Sequence, residues 1–334
     1  MEETKLSSRV SNVAIDLASR SFLAQGAVTL LFLISSMAGG CRKSTQNPSA
    51  EPSPVSSVRV PSIPAGQDPV LVGAGDIASC EDLSGAEATA KLLDTIPGVV
   101  FTAGDNAYER GTAEEFRNCY QPTWGRHKDR TLPAAGNHEF YSDHAAPYFG
   151  YFGANAGDPT LGYYSYELGT WHIIVLNSEC FEVGGCQQGS REEKWLSADL
   201  DTHPSRCILA YWHKPLFSSG ARHGNDPEMK AFWIDLYRKR ATVVINGHDH
   251  DYERFAPQNP DGKPELTRGI REFVAGTGGR NHRPFAAPLP TSEVRNAGTF
   301  GVLKMTLHPN AYEWEFVPEA GKSFHDSGAS SCNE

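Results

Sequence analysis

Residues 242–254 read TVVINGHDHDYER, and the interpretation of the whole chain starts from this stretch. The apolar run that ends at Asn246 is typical of a buried strand. Gly247 then permits a sharp backbone turn. His248 and His250 follow in an HxH pattern, which is uncommon at a strand end without a metal ion. We therefore predict a strand that delivers two imidazole ligands at its carboxyl end.

The same order of events recurs earlier in the chain: an apolar run stops, the backbone turns, and a residue able to bind a metal follows. The segments with this pattern are Gly75-Asp76 after residues 70–74, Gly104-Asp105 after residues 99–103, Gly136-Asn137-His138, and His213 directly after residues 207–212. Open α/β sheets place ligand sites at the carboxyl ends of their strands. We therefore expect these side chains to converge.

The remaining pattern mixes strands with helices. Helical periodicity is found at residues 85–95, 191–199 and 228–238, and strand-like runs at residues 170–176, around Phe273, at 302–307 and at 312–316. Such alternation predicts an α/β sandwich rather than a helical bundle or an all-β fold.

The residue types at the strand ends suit one kind of site. Asp supplies anionic oxygen, His supplies imidazole nitrogen, and Asn supplies a neutral oxygen. Mixed nitrogen and oxygen ligands favour zinc, manganese or iron over calcium. One carboxylate can bridge two cations that lie about 3.5–4 Å apart.

Five motifs together resemble the calcineurin-like metallophosphoesterases, and among these the purple acid phosphatases. The matching segments are GDIAS at 75–79, GDNAY at 104–108, GNHE at 136–139, YWHKP at 211–215 and GHDHDYER at 247–254. The broader superfamily usually has a His two residues after its first Asp, and this chain has Ala78 there. Purple acid phosphatases also lack that His and use a Tyr from the second motif, a place that Tyr108 fills. The resemblance implies a four-layer α-β-β-α sandwich of two mixed sheets, with a dinuclear site at the strand carboxyl ends.

The resemblance also implies the ligands. The expected set for metal 1 is Asp76, Asp105, Tyr108 and His250, and the expected set for metal 2 is Asp105, Asn137, His213 and His248, so that Asp105 bridges. A phenolate ligand favours Fe(III), so metal 1 is expected to be ferric iron and metal 2 zinc, manganese or ferrous iron. The alternative for Tyr108 is a packing aromatic beside a zinc or manganese pair.

The implied activity is hydrolysis of a phosphate monoester, with a metal-bound hydroxide that attacks in line. The leaving alkoxide needs a proton or a positive neighbour. His138 is the first candidate for this role, and a purely orienting function is its alternative. His223, ten residues after His213, is the second candidate.

Three other functions remain open at the sequence level. A phosphodiesterase or nucleotidase would use the same metals, because the site fixes the phosphate and not its substituents. A phospholipid headgroup hydrolase is a further alternative, suggested only by the predicted membrane tether described below. A surface-tethered binding protein without catalysis is the third, and the full set of ligands argues against it. The formal charge of −10 and the lack of a long basic run give no indication of a nucleic-acid partner.

The N-terminal region resembles an export signal. Lys5, Arg9 and Arg20 precede an apolar run at residues 22–37, which is short for a membrane span. The run ends in Ala38-Gly39-Gly40-Cys41. This resembles a bacterial lipoprotein cleavage site, although the first position usually holds Leu. We expect a signal peptide at 1–41, a Ser/Pro-rich linker at 42–67 and a catalytic domain at 68–334. The protein would be held in the cell envelope by lipid on Cys41, or be secreted after cleavage nearby.

The cysteine count fits export. Without Cys41, six of the seven cysteines remain, an even number that suits disulfides in an oxidising compartment. None lies in a CxxC pair, which argues against a zinc–thiolate site. Cys180 and Cys186 flank a Gly-rich stretch and are expected to close a small loop. The pairings Cys80 with Cys119 and Cys207 with Cys332 are hypotheses, because sequence does not fix connectivity.

Overall fold

A computed structural model describes residues 58–64 and 66–333. Their strands, in chain order, are β1 (Val70–Ala74), β2 (Ala78–Ser79), β3 (Val99–Ala103), β4 (Ala107–Tyr108), β5 (Thr131–Ala134), β6 (Tyr164–Leu168), β7 (Trp171–Val175), β8 (Cys207–Tyr211), β9 (Val243–Asn246), β10 (Tyr252–Phe255), β11 (Arg271–Ala275), β12 (Ser292–Asn296), β13 (Gly301–His308), β14 (Ala311–Pro318) and β15 (Ser327–Ser331).

The helices are mostly short. The α-helices are α1 (Ser84–Thr95), α2 (Ala113–Glu115), α3 (Asn137–Phe140), α4 (Ala146–Phe152), α5 (Arg191–Thr202) and α6 (Lys230–Arg238). A π-helical turn covers Phe116–Tyr120, and 3₁₀ turns cover Trp124–Arg130, Asp143–Ala145, Gly153–Ala156 and Pro227–Met229. The predicted helix at 228–238 thus begins with a 3₁₀ turn, because Pro227 occupies its first turn. α5 begins after Ser190, whose hydroxyl accepts the N–H of Glu193.

Two large mixed sheets carry the fold. The first has the order β15-β14-β13-β1-β3-β5, and the second has the order β12-β10-β11-β9-β8-β7-β6. β1, β3 and β5 run parallel in the first sheet, and β7, β8, β9 and β11 run parallel in the second. The parallel strands of each sheet therefore end at one edge, where the polar motifs follow.

Alternation along the strands builds the layers, because successive side chains of a strand point to opposite faces. Leu71 of the first sheet and Ile173 of the second face the same central core. Their neighbours face outward: Val72 packs with α1 residues, and Ile174 packs with residues of α5 and α6. Helices thus cover the outer face of each sheet. The predicted α/β sandwich of two mixed sheets is confirmed.

Disulfides close the fold at three places. The bonds join Cys80 to Cys119, Cys180 to Cys186 and Cys207 to Cys332. All three expected pairings are confirmed. The last bond ties the chain after β15 to the start of β8, and so links the two sheets covalently.

The N-terminal boundary lies only partly within the described residues. Val58, Val60 and Ile63, at the end of the predicted linker, pack against the central core. The predicted signal peptide and Cys41 lie outside the described residues, and the domain boundaries stay a prediction. Among the residues that are described, we find no helix with the length and apolar character needed to cross a bilayer.

Candidate metal centre

The predicted ligands meet because two loops of the first sheet run side by side. The N–H groups of Asp76, Ile77 and Ala78 donate to the carbonyls of Gly104, Asp105 and Asn106, over 3.0–3.1 Å. The short parallel pair β2–β4 then places Ser79 opposite Tyr108. This pairing brings the Tyr108 phenol to the Asp76 carboxylate, with a hydrogen bond of 2.7 Å. Ala78, at the position where the superfamily has a His, is buried beside this pair.

Both aspartates use one oxygen for the backbone and direct the other to the centre. Oδ2 of Asp76 accepts the N–H of His248 over 2.8 Å, and Oδ1 of Asp105 accepts the N–H of His138 over 3.0 Å. The free oxygens, Asp76 Oδ1 and Asp105 Oδ2, both accept the hydroxyl of Tyr108. Their positions are therefore fixed before any ligand binds.

Two overlapping groups of donor atoms result. In the first, His250 Nε2 lies 3.3 Å from Asp76 Oδ1 and 3.4 Å from the Tyr108 hydroxyl. In the second, His213 Nε2 lies 3.2 Å from Asp105 Oδ2, 3.2 Å from Asn137 Oδ1 and 3.1 Å from His248 Nδ1. Asp105 Oδ2 belongs to both groups. The structure thus brings together all seven residues predicted as ligands, and their role as ligands stays a prediction.

The outer nitrogens of two histidines fix which nitrogen faces the centre. His213 donates its Nδ1–H to the carbonyl of Ala103 over 2.8 Å, and His250 donates its Nδ1–H to the side-chain oxygen of Asn281. Each ring therefore turns its Nε2 toward the carboxylates. This is the usual arrangement of a metal-binding His, whose second nitrogen is held by an oxygen acceptor.

The donor set fits a pair of metal ions. Atoms that bind one ion at about 2.0–2.2 Å stand roughly 3 Å from one another, and the contacts between these donors are 2.7–3.4 Å. Asp76, Asp105 and His213 also form a compact cluster whose ligand atoms all lie within 4.8 Å of one another. A carboxylate oxygen shared between the groups is what a bridging ligand requires.

The electrostatics of the donor groups also favour cations at this site. Burial lowers the pKa of His213, but the Asp105 carboxylate outweighs this effect and raises that pKa to about 10. Burial, together with the charges of Asp105 and Asp76, raises the pKa of Tyr108 well above its ordinary range. Both shifts favour protonated groups where the donors face the two carboxylates, and cations bound at these positions would satisfy the same carboxylates.

Glu139 of α3 binds the backbone of two loops at the site. Its carboxylate accepts four backbone N–H groups, those of Asp105, Asn106, Ala107 and Gly136. Glu139 thus ties the loop after β3 to the loop after β5, and so holds Asp105 and Asn137 in place.

The candidate catalytic histidines lie at the mouth of the centre. His138 donates its Nδ1–H to the carbonyl of Glu109 over 2.6 Å, and its Nε2 lies 3.7 Å from Asp105 Oδ2. The exposed His223 packs on His248, with ring centroids 3.9 Å apart and ring planes tilted by 33°. The floor of the site is buried, whereas Asn137, His138 and His248 are partly exposed. A substrate can therefore reach the centre from the side of these residues.

Sequence reasoning missed three residues that support this geometry. Asn281 holds His250, Asp249 holds the loop at 218–224, and Arg283 contacts His223. Asp249 lies between the two histidines of the HxH motif, which was a usable signal. Asn281 and Arg283 follow the Gly-rich stretch at 276–279. They belong to no recognisable motif, so the sequence gives no indication of their role.

The region that contains the motifs matches a known protein family. Residues 71–252 match the model of the calcineurin-like phosphoesterase family. Among curated proteins, purple acid phosphatase 15 of Arabidopsis thaliana is 26% identical over 200 residues, which cover 49% of this chain and 37% of that protein. The chain thus spans less than half the length of this relative.

Solved structures share the fold. A purple acid phosphatase from yellow lupin seeds superposes with a TM-score of 0.67 at 17% identity, over 79% of this chain and 54% of that one. GAP50, the anchor in the inner membrane complex of Plasmodium, superposes with a TM-score of 0.63 at 12% identity, over 80% of this chain and 90% of that one. At these identities the likeness concerns the fold alone.

Gly136→Ala tests the packing that positions the shared carboxylate. A Cβ on Gly136 would lie 2.2 Å from Asp105 Oδ1 and 2.5 Å from the Asp105 nitrogen, so Asp105 must shift. We expect bound metal to fall from two ions to fewer than one per chain, with a loss of about 1–3 kcal/mol in the free energy of unfolding. Elemental analysis and urea unfolding measure both.

Gly150→Ala is the matched control, because a Cβ there meets no atom within 4 Å. It lies in α4, where Ala is favoured over Gly by about 1 kcal/mol. We expect full metal content and unchanged or higher stability. Two ions bound to Gly136→Ala at wild-type affinity would contradict the geometry described for Asp105.

Proposed function

This chain belongs to the calcineurin-like phosphoesterase family, and on that premise we propose that it hydrolyses phosphate monoesters at a dinuclear metal centre. The observation that carries the proposal is the shared oxygen of Asp105. Asp105 Oδ2 is within 3.2 Å of a donor from each of the two groups, the Tyr108 hydroxyl and His213 Nε2. A single-metal site has no need of such a shared position.

The expected ligand sets are those of the two donor groups. Asp76, Asp105, Tyr108 and His250 would hold one ion, and Asp105, Asn137, His213 and His248 the other. When bound, the two cations neutralise the phosphate oxygens and activate the attacking water. The residues of the chain do the rest: they fix the ligand atoms, keep the floor of the site dry and supply a proton to the leaving group.

The identity of the metals is part of the proposal. The Tyr108 hydroxyl contacts both Asp76 and Asp105 in a buried position, so a cation there would draw off its proton and leave a phenolate ligand. This supports Fe(III) at the first position. Zinc, manganese or ferrous iron suits the second position, which has neutral nitrogen and oxygen donors beside Asp105.

His138 is suited to protonate the leaving group. Because its Nδ1–H is used by the Glu109 carbonyl, Nε2 is the nitrogen that faces the centre, and a proton carried there can pass to a departing oxygen. The ring is held in this orientation by Tyr108, with centroids 4.3 Å apart. His223 lies farther out, on His248.

Asp105→Ala tests the proposed activity. Removal of the shared carboxylate should lower turnover of p-nitrophenyl phosphate by about 10³-fold or more, because both ions lose a ligand. Asp261→Ala is the control: Asp261 is exposed and pairs with Lys230, and its loss should leave turnover unchanged. If the wild-type protein binds metal but hydrolyses only bis-p-nitrophenyl phosphate, its activity is that of a phosphodiesterase and not of a phosphomonoesterase. Loss of neither metal nor turnover in Asp105→Ala would refute the proposal.

The visible spectrum of the same wild-type protein tests the iron assignment. A tyrosinate–Fe(III) pair gives a charge-transfer band, which Tyr108→Phe should abolish. If the protein is active with zinc or manganese alone and shows no such band, the proposed phosphoesterase activity stands and the assignment of iron is wrong.

His138→Ala separates proton donation from simple positioning. For an alkyl phosphate, whose leaving alkoxide needs a proton, we expect a loss of about 10²–10⁴-fold in kcat. For p-nitrophenyl phosphate, whose phenolate leaves unprotonated, the loss should be much smaller. His144→Ala, which removes an exposed His paired with Glu182, should change neither rate. Equal losses on both substrates would assign His138 a positioning role.

We also propose export to the cell envelope, with lipid on Cys41. The three disulfides of the described domain support an oxidising compartment. Growth with a labelled fatty acid should label the wild-type protein and not Cys41→Ser. An unlabelled wild-type protein in the medium would favour secretion without a lipid anchor.

A further inference from the structure

Two loops meet beside the exposed edge of the metal centre. Residues 219–221 and 284–286 form a short antiparallel contact, in which Ala221 N–H donates to Pro284 O over 3.0 Å and Ala286 N–H donates to Ser219 O over 2.8 Å. Gly220 and Phe285 pair across this contact. The contact joins segments that lie about 60 positions apart, and it brings Arg283 to His223.

Both loops are anchored to the segment that carries His248 and His250. The buried Asp249 carboxylate accepts the Gly224 N–H over 3.0 Å and the Ser218 hydroxyl. Arg283 donates its own N–H to the carbonyl of His250 over 3.1 Å. The Arg283–His223 pair is thus held in a fixed place relative to the metal centre, rather than on a free surface loop.

The guanidinium of Arg283 presents positive charge at the mouth of the site. Arg283 Nη1 donates to Nε2 of His223, and His223 packs on His248, with ring centroids 3.9 Å apart and ring planes tilted by 33°. Among the described residues, His223 is the hydrogen-bond partner of the Arg283 guanidinium. A guanidinium has five N–H donors in a planar fork, so most of these stay available to a ligand.

Burial raises the pKa of Asp251 well above its ordinary range, and the charge of Arg283 offsets this only in part, so a role as the counter-ion of Asp251 does not account for Arg283. Such a role would put a guanidinium–carboxylate hydrogen bond between the two side chains. Neither oxygen of Asp251 accepts a hydrogen bond from any described residue. The guanidinium instead lies on the His223 side, next to the rim of the centre.

We propose that the Arg283 guanidinium, positioned by its contact with His223, forms an anion subsite beside the metal centre, and that this subsite binds a second anionic group of the substrate, a phosphate or a carboxylate. The inference rests on the proposed phosphoesterase function and narrows its substrate class to esters with an additional negative charge. The chain as a whole carries a formal charge of −10. A fixed guanidinium at the mouth offsets this repulsion locally, where a doubly anionic substrate must approach.

The test is a binding measurement on the metal-loaded protein with two non-hydrolysable ligands, benzylphosphonate and 4-carboxybenzylphosphonate. They share the group that would occupy the metal centre and differ by one carboxylate. Calorimetry should show that Arg283→Met weakens binding of the carboxylated ligand by about tenfold or more, the loss expected for a hydrogen bond between charged groups. Binding of benzylphosphonate should not change, and Arg283→Lys should retain part of the preference.

Arg222→Met is the matched control. Arg222 is an exposed neighbour of His223 on the same loop, and its replacement removes the same charge without touching the pair. It should alter neither affinity. Equal weakening of both ligands by Arg283→Met would overturn the subsite, because it would indicate a general distortion. An equal loss of affinity in Arg222→Met would also overturn the subsite, because the net charge around the mouth of the site would then explain the preference for the carboxylated ligand.

Turnover of p-nitrophenyl phosphate by the wild-type protein separates this inference from the function on which it rests. If the protein hydrolyses p-nitrophenyl phosphate but binds the two phosphonates equally well, the phosphoesterase proposal stands and the subsite is refuted. If it prefers the carboxylated phosphonate through Arg283 but hydrolyses no phosphate ester, the subsite stands and the proposed reaction is refuted.

Discussion

The carboxylate of Asp105 is the point on which the geometry of the site depends. One oxygen is held by the His138 N–H, and the other faces donors from both groups. The backbone at Asp105 has φ of 51°, and Asp76 and His248 also have positive φ, at 61° and 73°. Such conformations cost non-glycine residues on the order of 1–3 kcal/mol each and persist only where the surrounding structure imposes them.

The surrounding structure imposes them through buried hydrogen bonds. Glu139 binds the backbone of both loops that carry Asp105 and Asn137. His248 N–H binds Asp76, which joins the loop after β9 of the second sheet to the loop after β1 of the first. The site is therefore built between the sheets, and the central core that packs them together also sets the distance between the two groups of donors.

The sequence predicted the part of the structure that follows from local patterns. β1, β3 and β9 are short apolar runs that end at a glycine and a polar residue, and their bounds match the prediction within a residue. β15 was not predicted. Its sequence, SGASS, has no apolar pattern, and it is a strand because it pairs with the edge of β14 and is tied down by Cys332.

The predicted ligands other than Tyr108 were identifiable because each follows a strand within a few residues, whereas Tyr108, at the end of β4, was identified through the family resemblance. The groups that support them were not, because they arise from contacts between distant segments. The backbone partners of Glu139, for example, come together only when the loops after β3 and β5 lie side by side. Arg283 contacts His223 because their two loops pair with each other, and neither loop has a sequence pattern that predicts this pairing.

The central claim is that two ions share Asp105, and anomalous diffraction from crystals of the metal-loaded protein tests it most directly. Data at the absorption edge of each bound metal should give two peaks about 3.5–4 Å apart, both within ligand distance of Asp105 Oδ2. A single peak, or two peaks of which only one is bound by Asp105, would contradict the account.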